Sequence, residues 1–425
     1  MAFTTVRSAS GVDFIGTPGV DVGVIFDETG NVTLSGLGDA DVIQVNNSTG
    51  IQRTATINGG DGADQIFFST NISDSSINGN KGADIIDVFD SVSNSFIGGG
   101  EGSDNIIGGF QFLASKIDGG AGSDIIEVAS NLALATINGG DGNDTIELNI
   151  GGAQVFNNSS INGNAGADVI DGVGLNVTLS GSNFIGGGSD DDTINFTNAT
   201  TDNGAGGFAM GFDLTGGSGN DVINGSNDND SIWGNADNDT ITGGTGTDMV
   251  YAGAGNDRIN AWNDSITGGL GADDFVFAGG VSTFFVKAIG ESAAATSGTA
   301  RTFDSFAPYG AFAAGASGDF LNISAVTNQL AGGQFAAGGT ITSTGIAGGV
   351  FANFADLKTA LDLPAVPATA SDTNTIRAYT FTATIAGTAG NYLWIQDSQR
   401  AYSSSDLLFQ TTLPGSIGPG QITLV

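Results

Sequence analysis

The 425-residue sequence contains no cysteine and no histidine, only six prolines, and only ten lysines and arginines. Without thiols or imidazoles it can build no disulfide framework, no thiolate or imidazole metal site, no cysteine nucleophile and no histidine-based triad. It has no run of about 18 apolar residues, so no helix is expected to span a membrane. The opening MAFTTVRSASGVDF lacks an apolar segment between a basic start and a cleavage site, so no export signal is expected there. The shortage of basic side chains bears on partners as well. With 45 acids the formal net charge is −35, which should repel nucleic acid and anionic membranes and attract cations.

What abounds is glycine, with 71 residues. Each Gly inside a helix costs roughly 1 kcal/mol relative to Ala, so helices are improbable as the main architecture. Only five acids are glutamate (Glu28, Glu101, Glu127, Glu147 and Glu291); the rest are aspartate, which prefers turns. A hydrophobic content of 40% argues against disorder and supplies a core.

One ten-residue phrase recurs: INGGDGADQI at 57–66, INGNKGADII at 77–86, IGGGEGSDNI at 97–106, IDGGAGSDII at 117–126 and INGGDGNDTI at 137–146. Its kernel G-G-x-G-x-D occurs seven times, ending at Asp64, Asp104, Asp124, Asp144, Asp221, Asp248 and Asp273. Relaxing the second glycine adds Asp21, Asp84 and Asp168; relaxing the fourth adds Asp41, Asp192, Asp230 and Asp239. Asn80, Asn164 and Asn235 stand at lost second positions, and Asp39, Asp190, Asp228 and Asp237 at lost fourth positions. Asn and Asp are the non-glycine residues that best tolerate left-handed backbone, so turn geometry is the property retained.

From Asp21 the key aspartates advance by 20 and 23 residues, then four times by 20, then by 24, 24 and 29 to Asp221. Beyond it the step falls to 9, through Asp230, Asp239, Asp248 and Asp257, then 7 to a degenerate Asp264 and 9 to Asp273. A twenty-residue step is one complete coil with a single Gly-rich turn, and a nine-residue step is half a coil. The intervening stretches FSTNISDSSI, FDSVSNSFI and EVASNLALATI are expected to make a second turn that holds no ion. The insertions at 149–160, 171–184 and 196–213 are expected to loop out on that side. Phe67, Phe89, Phe96 and Phe156 are expected in the core near its corners, and Asp264 is read as a spacer with a damaged turn.

The kernel resembles the calcium-binding nonapeptide of RTX (repeats-in-toxin) proteins over roughly residues 14–275. The resemblance implies an all-β fold, a parallel β-roll or β-helix, with Ca²⁺ held between stacked turns by backbone carbonyls and aspartate carboxylates. The implied ligands are Asp21, Asp41, Asp64, Asp84, Asp104, Asp124, Asp144, Asp168, Asp192, Asp221, Asp230, Asp239, Asp248, Asp257 and Asp273. With them go the glycines at the first and fourth kernel positions: Gly59 and Gly62, Gly79 and Gly82, Gly99 and Gly102, Gly119 and Gly122, Gly139 and Gly142, Gly163 and Gly166, Gly216 and Gly219, and Gly243 and Gly246. Calcium takes about six to eight hard oxygen ligands, and closely spaced glycines let carbonyls converge without Cβ clashes. One row of ions is expected along 16–221 and two facing rows along 216–273, roughly ten or more ions in all.

The organisation expected is a single-sided β-helix over 1–213, a nine-residue-repeat β-roll over 214–280 and a β-rich C-terminal domain over 281–425. Residues 1–275 carry a net −32 and residues 276–425 only −3. One helix is expected at 351–363, stopped by Pro364. In the tail, TFDSFAPYG with GDFLNISAV, and NYLWIQDSQRAYSSSDLLFQ, are similar to segments of RTX surface proteins exported by type I secretion, which implies an extracellular or cell-surface location.

Three functions fit. One is a non-enzymatic structural protein of the cell surface, such as a surface-layer, matrix or filament subunit, that folds and self-associates in external calcium and contacts surface polysaccharide. The second is a carbohydrate-active β-helix lyase or epimerase, disfavoured because residues 1–213 hold only Arg7, Arg53, Lys81 and Lys116 as cations and no Tyr. The third is a calcium buffer that does not assemble.

Overall fold

A computed structural model describes residues 4–8, 11–26 and 31–46 and most of 54–279, followed by only the backbone of strands between 283 and 423. The chain divides into two compact units, Met1–Asp230 and Ser231–Val425. Both are all-β, and no helix occurs among the described residues.

Unit 1 is a parallel β-solenoid of about ten coils. One coil shows the plan. Ser76–Lys81 forms a first face, Ile85–Val88 a second and Val92–Ser93 a short third, and Phe96–Glu101 then begins the next coil. Each strand pairs in parallel with its counterpart one repeat away, so identical repeat positions stack. On the first face Ile57, Ile77, Ile97, Ile117, Ile137, Ile161 and Ile185 stand in one column. On the second, Ile43, Ile66, Ile86, Ile106, Ile126, Ile146, Ile170, Ile194 and Ile223 form another. All are at most 2% exposed. Burying each stabilises the coil by roughly 1.5–3 kcal/mol, so the repeat length itself sets the register. Thr4–Ser8 pairs antiparallel with Gly11–Ile15 and ends the parallel stack at the N-terminal side.

The third face corrects the expected plan of two turns per coil. Seven short strands from Ile72–Ser73 to Thr200–Thr201 form it. It is filled from Ile72, Val92, Phe112, Leu132 and Phe156. Two of the expected loops are part of it: Ala153–Asn157 and Asn176–Ser180 are five-residue strands that pair with each other. The added residues lengthen the third face because a paired strand satisfies backbone groups that a loop would leave to solvent. Residues 202–209 of the third insertion lie outside the described residues.

The phenylalanine expectation holds only for Phe156, which is 1% exposed. Phe89 is 64% exposed, and Phe67 and Phe96 are half-buried. The core phenylalanines are instead Phe68, Phe112, Phe156, Phe196 and Phe212, with Phe196 and Phe212 ring centroids 4.5 Å apart. Side-chain direction alternates along a strand, and one residue of register moves a ring from core to solvent.

In unit 2, Asn229–Ala236 pairs with Met249–Ala254 at an 18-residue step, and Met249–Ala254 with Ser265–Leu270 at 16. Farther on, Ile376–Ile385, Thr388–Gln396 and Leu407–Thr411 form an antiparallel set, in line with a β-rich C-terminal region. The helix expected at 351–363 lies outside the described residues.

Candidate metal centre

The kernel forms the corner between the first and second faces. Its second-position residues have left-handed backbone whether they are Gly60 (φ 120°), Asn80 (φ 79°), Asn164 (φ 83°) or Asn235 (φ 81°). At the fourth position Asp39, Asp190 and Asp237 adopt φ of 59°, 78° and 73° in place of glycine. Asp228 does not; its N–H donates to Ser226 Oγ in a differently built turn. Fourth-position glycines stack on one another: the Gly62 N–H donates to the Lys81 carbonyl and the Gly82 N–H to the Glu101 carbonyl, both at 2.7 Å. A Cβ on Gly82 would overlap the Gly62 carbonyl. These glycines shape the turn.

The key aspartates are 0–2% exposed, and those from Asp21 to Asp221 form a continuous column. Asp84 N–H donates to Asp104 Oδ1 at 2.7 Å, Asp104 N–H to Asp124 Oδ1 at 2.7 Å and Asp124 N–H to Asp144 Oδ1 at 2.8 Å. The same bond links Asp21 through Asp41 and Asp64 to Asp84, and Asp144 through Asp168 and Asp192 to Asp221. Oδ1 is thereby satisfied. From Asp41 to Asp192, every column Oδ2 is buried and accepts no hydrogen bond.

First-position glycines explain where Oδ2 points. A Cβ on Gly79 would overlap both Asp84 Oδ2 and the Gly99 carbonyl oxygen, and one on Gly99 both Asp104 Oδ2 and the Gly119 oxygen. The same holds at Gly59, Gly119, Gly139 and Gly163. A carboxylate oxygen and a carbonyl oxygen from consecutive coils thus converge on a space that only glycine leaves open. Buried oxygens without donors are costly unless a cation joins them. Burial pushes the Asp84 and Asp144 carboxyls up to about 7, Asp192 to about 8 and Asp64, Asp104 and Asp168 to about 6. Desolvation is the largest cause; the donated N–H opposes it, and at Asp84, Asp144 and Asp192 carboxylates of adjacent coils add to it. Hard, paired oxygens of this kind suit a divalent cation such as calcium. Asp61 and Asp141, at the variable third position, are exposed and outside the column.

Two turns differ. Where Thr17 holds the second position, its N–H and its Oγ1 both donate to Asp21 Oδ2, the latter at 3.0 Å. Where Ser226 holds it, its N–H donates to Asp230 Oδ2 at 2.6 Å and its hydroxyl lies 3.0 Å from both carboxylate oxygens. A backbone N–H and a hydroxyl there together satisfy the oxygen that glycine or asparagine leaves bare.

In unit 2 two aspartate columns run in parallel. Asp239 N–H donates to Asp257 Oδ1 and Asp257 N–H to Asp273 Oδ1 at 2.9 and 3.0 Å. Asp248 N–H donates to Asp264 Oδ1 at 3.2 Å. Asp264, read as a spacer, is therefore a member of the second column and is 2% exposed. The short 7-residue step is absorbed by a 16-residue coil, which keeps the aspartates in register although Asp264 lacks the glycine kernel.

The opposite corner of unit 1 carries a column that the sequence reading missed. Ala55 N–H donates to Ser75 Oγ at 2.8 Å, Ser75 N–H to Ser95 Oγ at 3.0 Å and Ser95 N–H to Ser115 Oγ at 3.2 Å. Each hydroxyl in turn donates to a carbonyl of its own coil, Ser75 to Ser73 and Ser95 to Ser93. The signal was a serine at a constant 20-residue step, Ser75, Ser95 and Ser115.

Fold and corner together define a β-solenoid whose glycine turns present carboxylate and carbonyl oxygens to a cation. The family model of the RTX calcium-binding nonapeptide repeat (4 copies) matches residues 56–71, 136–152, 157–176, 215–250, 233–262, 242–275 and 263–283. These matches fall in both units. No curated protein matches the chain.

Proposed function

We propose that this chain is a secreted, calcium-binding structural protein of the cell surface, a surface-layer, matrix or filament subunit without catalytic activity, that folds and self-associates in external calcium. The observation that carries the calcium part is the buried aspartate column, whose Oδ2 atoms meet the carbonyls of first-position glycines. The RTX matches support the extracellular setting, since proteins with these repeats are typically secreted. Calcium, once bound, supplies the positive charge that lets adjacent carboxylates ionise together. Asp84, Asp104, Asp124 and their equivalents would hold it, with the carbonyls of Gly99, Gly119 and Gly139. Extracellular calcium modules bind with Kd on the order of 10⁻⁴ M or weaker, so the chain would stay unfolded in a cytosol poor in calcium. At about 100 Kd of free calcium each site adds about 2.7 kcal/mol.

The test is circular dichroism, native mass measurement and electron microscopy with calcium and with excess chelator. Calcium should induce β structure, raise the bound mass by multiple ions and produce ordered assemblies. A chain fully folded in chelator would refute the coupling, and calcium-loaded monomers at every concentration would refute assembly. Asp104→Asn with Asp124→Asn should lower the ion count and loosen the middle coils in hydrogen exchange while the end coils keep their protection.

A further inference from the structure

The outward side of the first face carries an arrangement that the calcium column does not use. Its stacked outward positions read Ser76, Phe96, Lys116, Thr136, Ser160 and Phe184 from coil to coil. The next outward column is Asn78, Gly98, Asp118, Asn138, Asn162 and Gly186. In these coils glycine occurs in the second column only where phenylalanine occurs in the first. The reason is geometric: a Cβ on Gly98 would stand 2.9 Å from Cε1 and Cζ of Phe96, and one on Gly186 2.9 Å from the same atoms of Phe184. Each ring therefore lies flat on the sheet over a glycine, which it buries, while its outer side faces solvent. Phe184 is 42% exposed and Phe96 is half-buried.

A groove of about 640 Å³ adjoins Phe96, lined by Ser76, Lys116 and Thr136 and by the turn residues Asp74 and Asn94. Lys116 donates to Asp118, and its ammonium lies 5.8 Å from the Phe96 ring centroid. Four strand steps of about 4.8 Å separate the rings by ~19 Å. Between them the surface offers hydroxyls and amides, with the Asn162 amide donating to Ser160 Oγ at 3.2 Å.

We propose that this face binds a neutral linear polysaccharide of equatorially linked pyranoses, one sugar stacked on Phe96 and another, farther along the same chain, on Phe184. Such a polymer alternates apolar ring faces with hydroxyl edges, which matches two flat rings separated by hydrogen-bonding side chains. The charge selects the neutral class. Lys116 is paired with Asp118, Asp213 flanks Phe184, and the chain's net −35 repels anionic glycans and nucleic acid. None of these residues belongs to the aspartate column, so the inference goes beyond the calcium role and shares only the fold with it.

The test uses the full chain in calcium, its fold verified by circular dichroism, and titrates it calorimetrically with cellohexaose and chitohexaose, with polygalacturonate as the acidic control. Binding of at least one neutral probe is expected. Phe96→Ala and Phe184→Ala should each weaken it by about tenfold, and the double variant should abolish it with calcium uptake unchanged. Gly98→Val, which lifts the Phe96 ring, should match Phe96→Ala. No binding of either neutral probe by the folded chain, equal binding by the double variant, or preference for polygalacturonate would overturn the proposal. Self-association lost in the double variant without any sugar binding would assign the face to a second copy of the chain instead. Loss of calcium-induced folding, read separately, would count against the calcium proposal and not against this one.

Discussion

Each middle coil of unit 1 has two polar corners built to the same plan, and they differ in what they leave unfinished. At both, a side-chain oxygen accepts the backbone N–H of the preceding coil: Asp104 Oδ1 from Asp84, and Ser95 Oγ from Ser75. The serine then donates its own proton to the Ser93 carbonyl and is complete. An aspartate has a second oxygen and, when ionised, no proton to donate, so Asp104 Oδ2 stays bare beside the Gly119 carbonyl. The same stacking rule therefore produces an inert corner with a hydroxyl and a cation-seeking corner with a carboxylate. Thr17 and Ser226 show the hydroxyl solution transplanted into the aspartate corner.

The largest expected effect comes from pH, because it acts on the whole aspartate column and not on the serine column. Burial raises the carboxyl pKa values from Asp41 to Asp192 above the ordinary 3.8, to between about 6 and about 8 where the shift is large. A raised folded pKa means stability that is fully present below about 4 and lost as pH rises through about 6 to 8. In excess chelator, the residual β signal in circular dichroism should thus be larger at pH 5 than at pH 8; in saturating calcium, which favours the ionised form, this difference should vanish. An unchanged β signal in chelator across that window would mean that the column is already neutralised by other groups.

Next is Gly99→Ala, whose Cβ overlaps Asp104 Oδ2 and the Gly119 carbonyl. It should destabilise by about 3 kcal/mol and remove bound calcium, whereas Gly19→Ala, with nothing within 4 Å, should stay within about 0.5 kcal/mol. Equal denaturation midpoints for the two would break the view that first-position glycines keep a cradle open. Ser95→Ala should then cost about 1–2 kcal/mol by orphaning the Ser75 N–H, with no change in calcium stoichiometry by mass measurement. Loss of ions in that variant would erase the distinction between the corners. The smallest effect is expected from Ser226→Gly, which strips the hydroxyl from Asp230 and should add one calcium with little change in stability. An unaltered ion count would show that the hydroxyl is not what closes that turn.

Much of this was legible from spacing. Isoleucines at a twenty-residue step predict stacked columns, and Ile77, Ile97 and Ile117 stand in one. Asn80 and Asp190 at glycine positions predict left-handed turns, and they form them. The third face was not legible, since strands as short as Val92–Ser93 carry no alternation to read. Its corner even places Ala114 and Leu134 at φ of 50° and 54°, residues with no local preference for that conformation. Coil stacking imposes it, through Ala114 N–H donating to the Ala133 carbonyl and Leu134 N–H to that of Asn157.

Asp264 shows the division most clearly. By itself the sequence determined the repeat length, the two apolar columns and the aspartate phase, because backbone pairing one coil away turns a constant step into a straight column. Only the tertiary structure decided that Asp264 joins such a column despite its lost glycines, that serines complete the opposite corner, and that Phe96 lies flat on the surface while Phe112 fills the core. Those outcomes depend on which neighbouring coil supplies the donor, the carbonyl or the empty space, and no local stretch of chain encodes its neighbour.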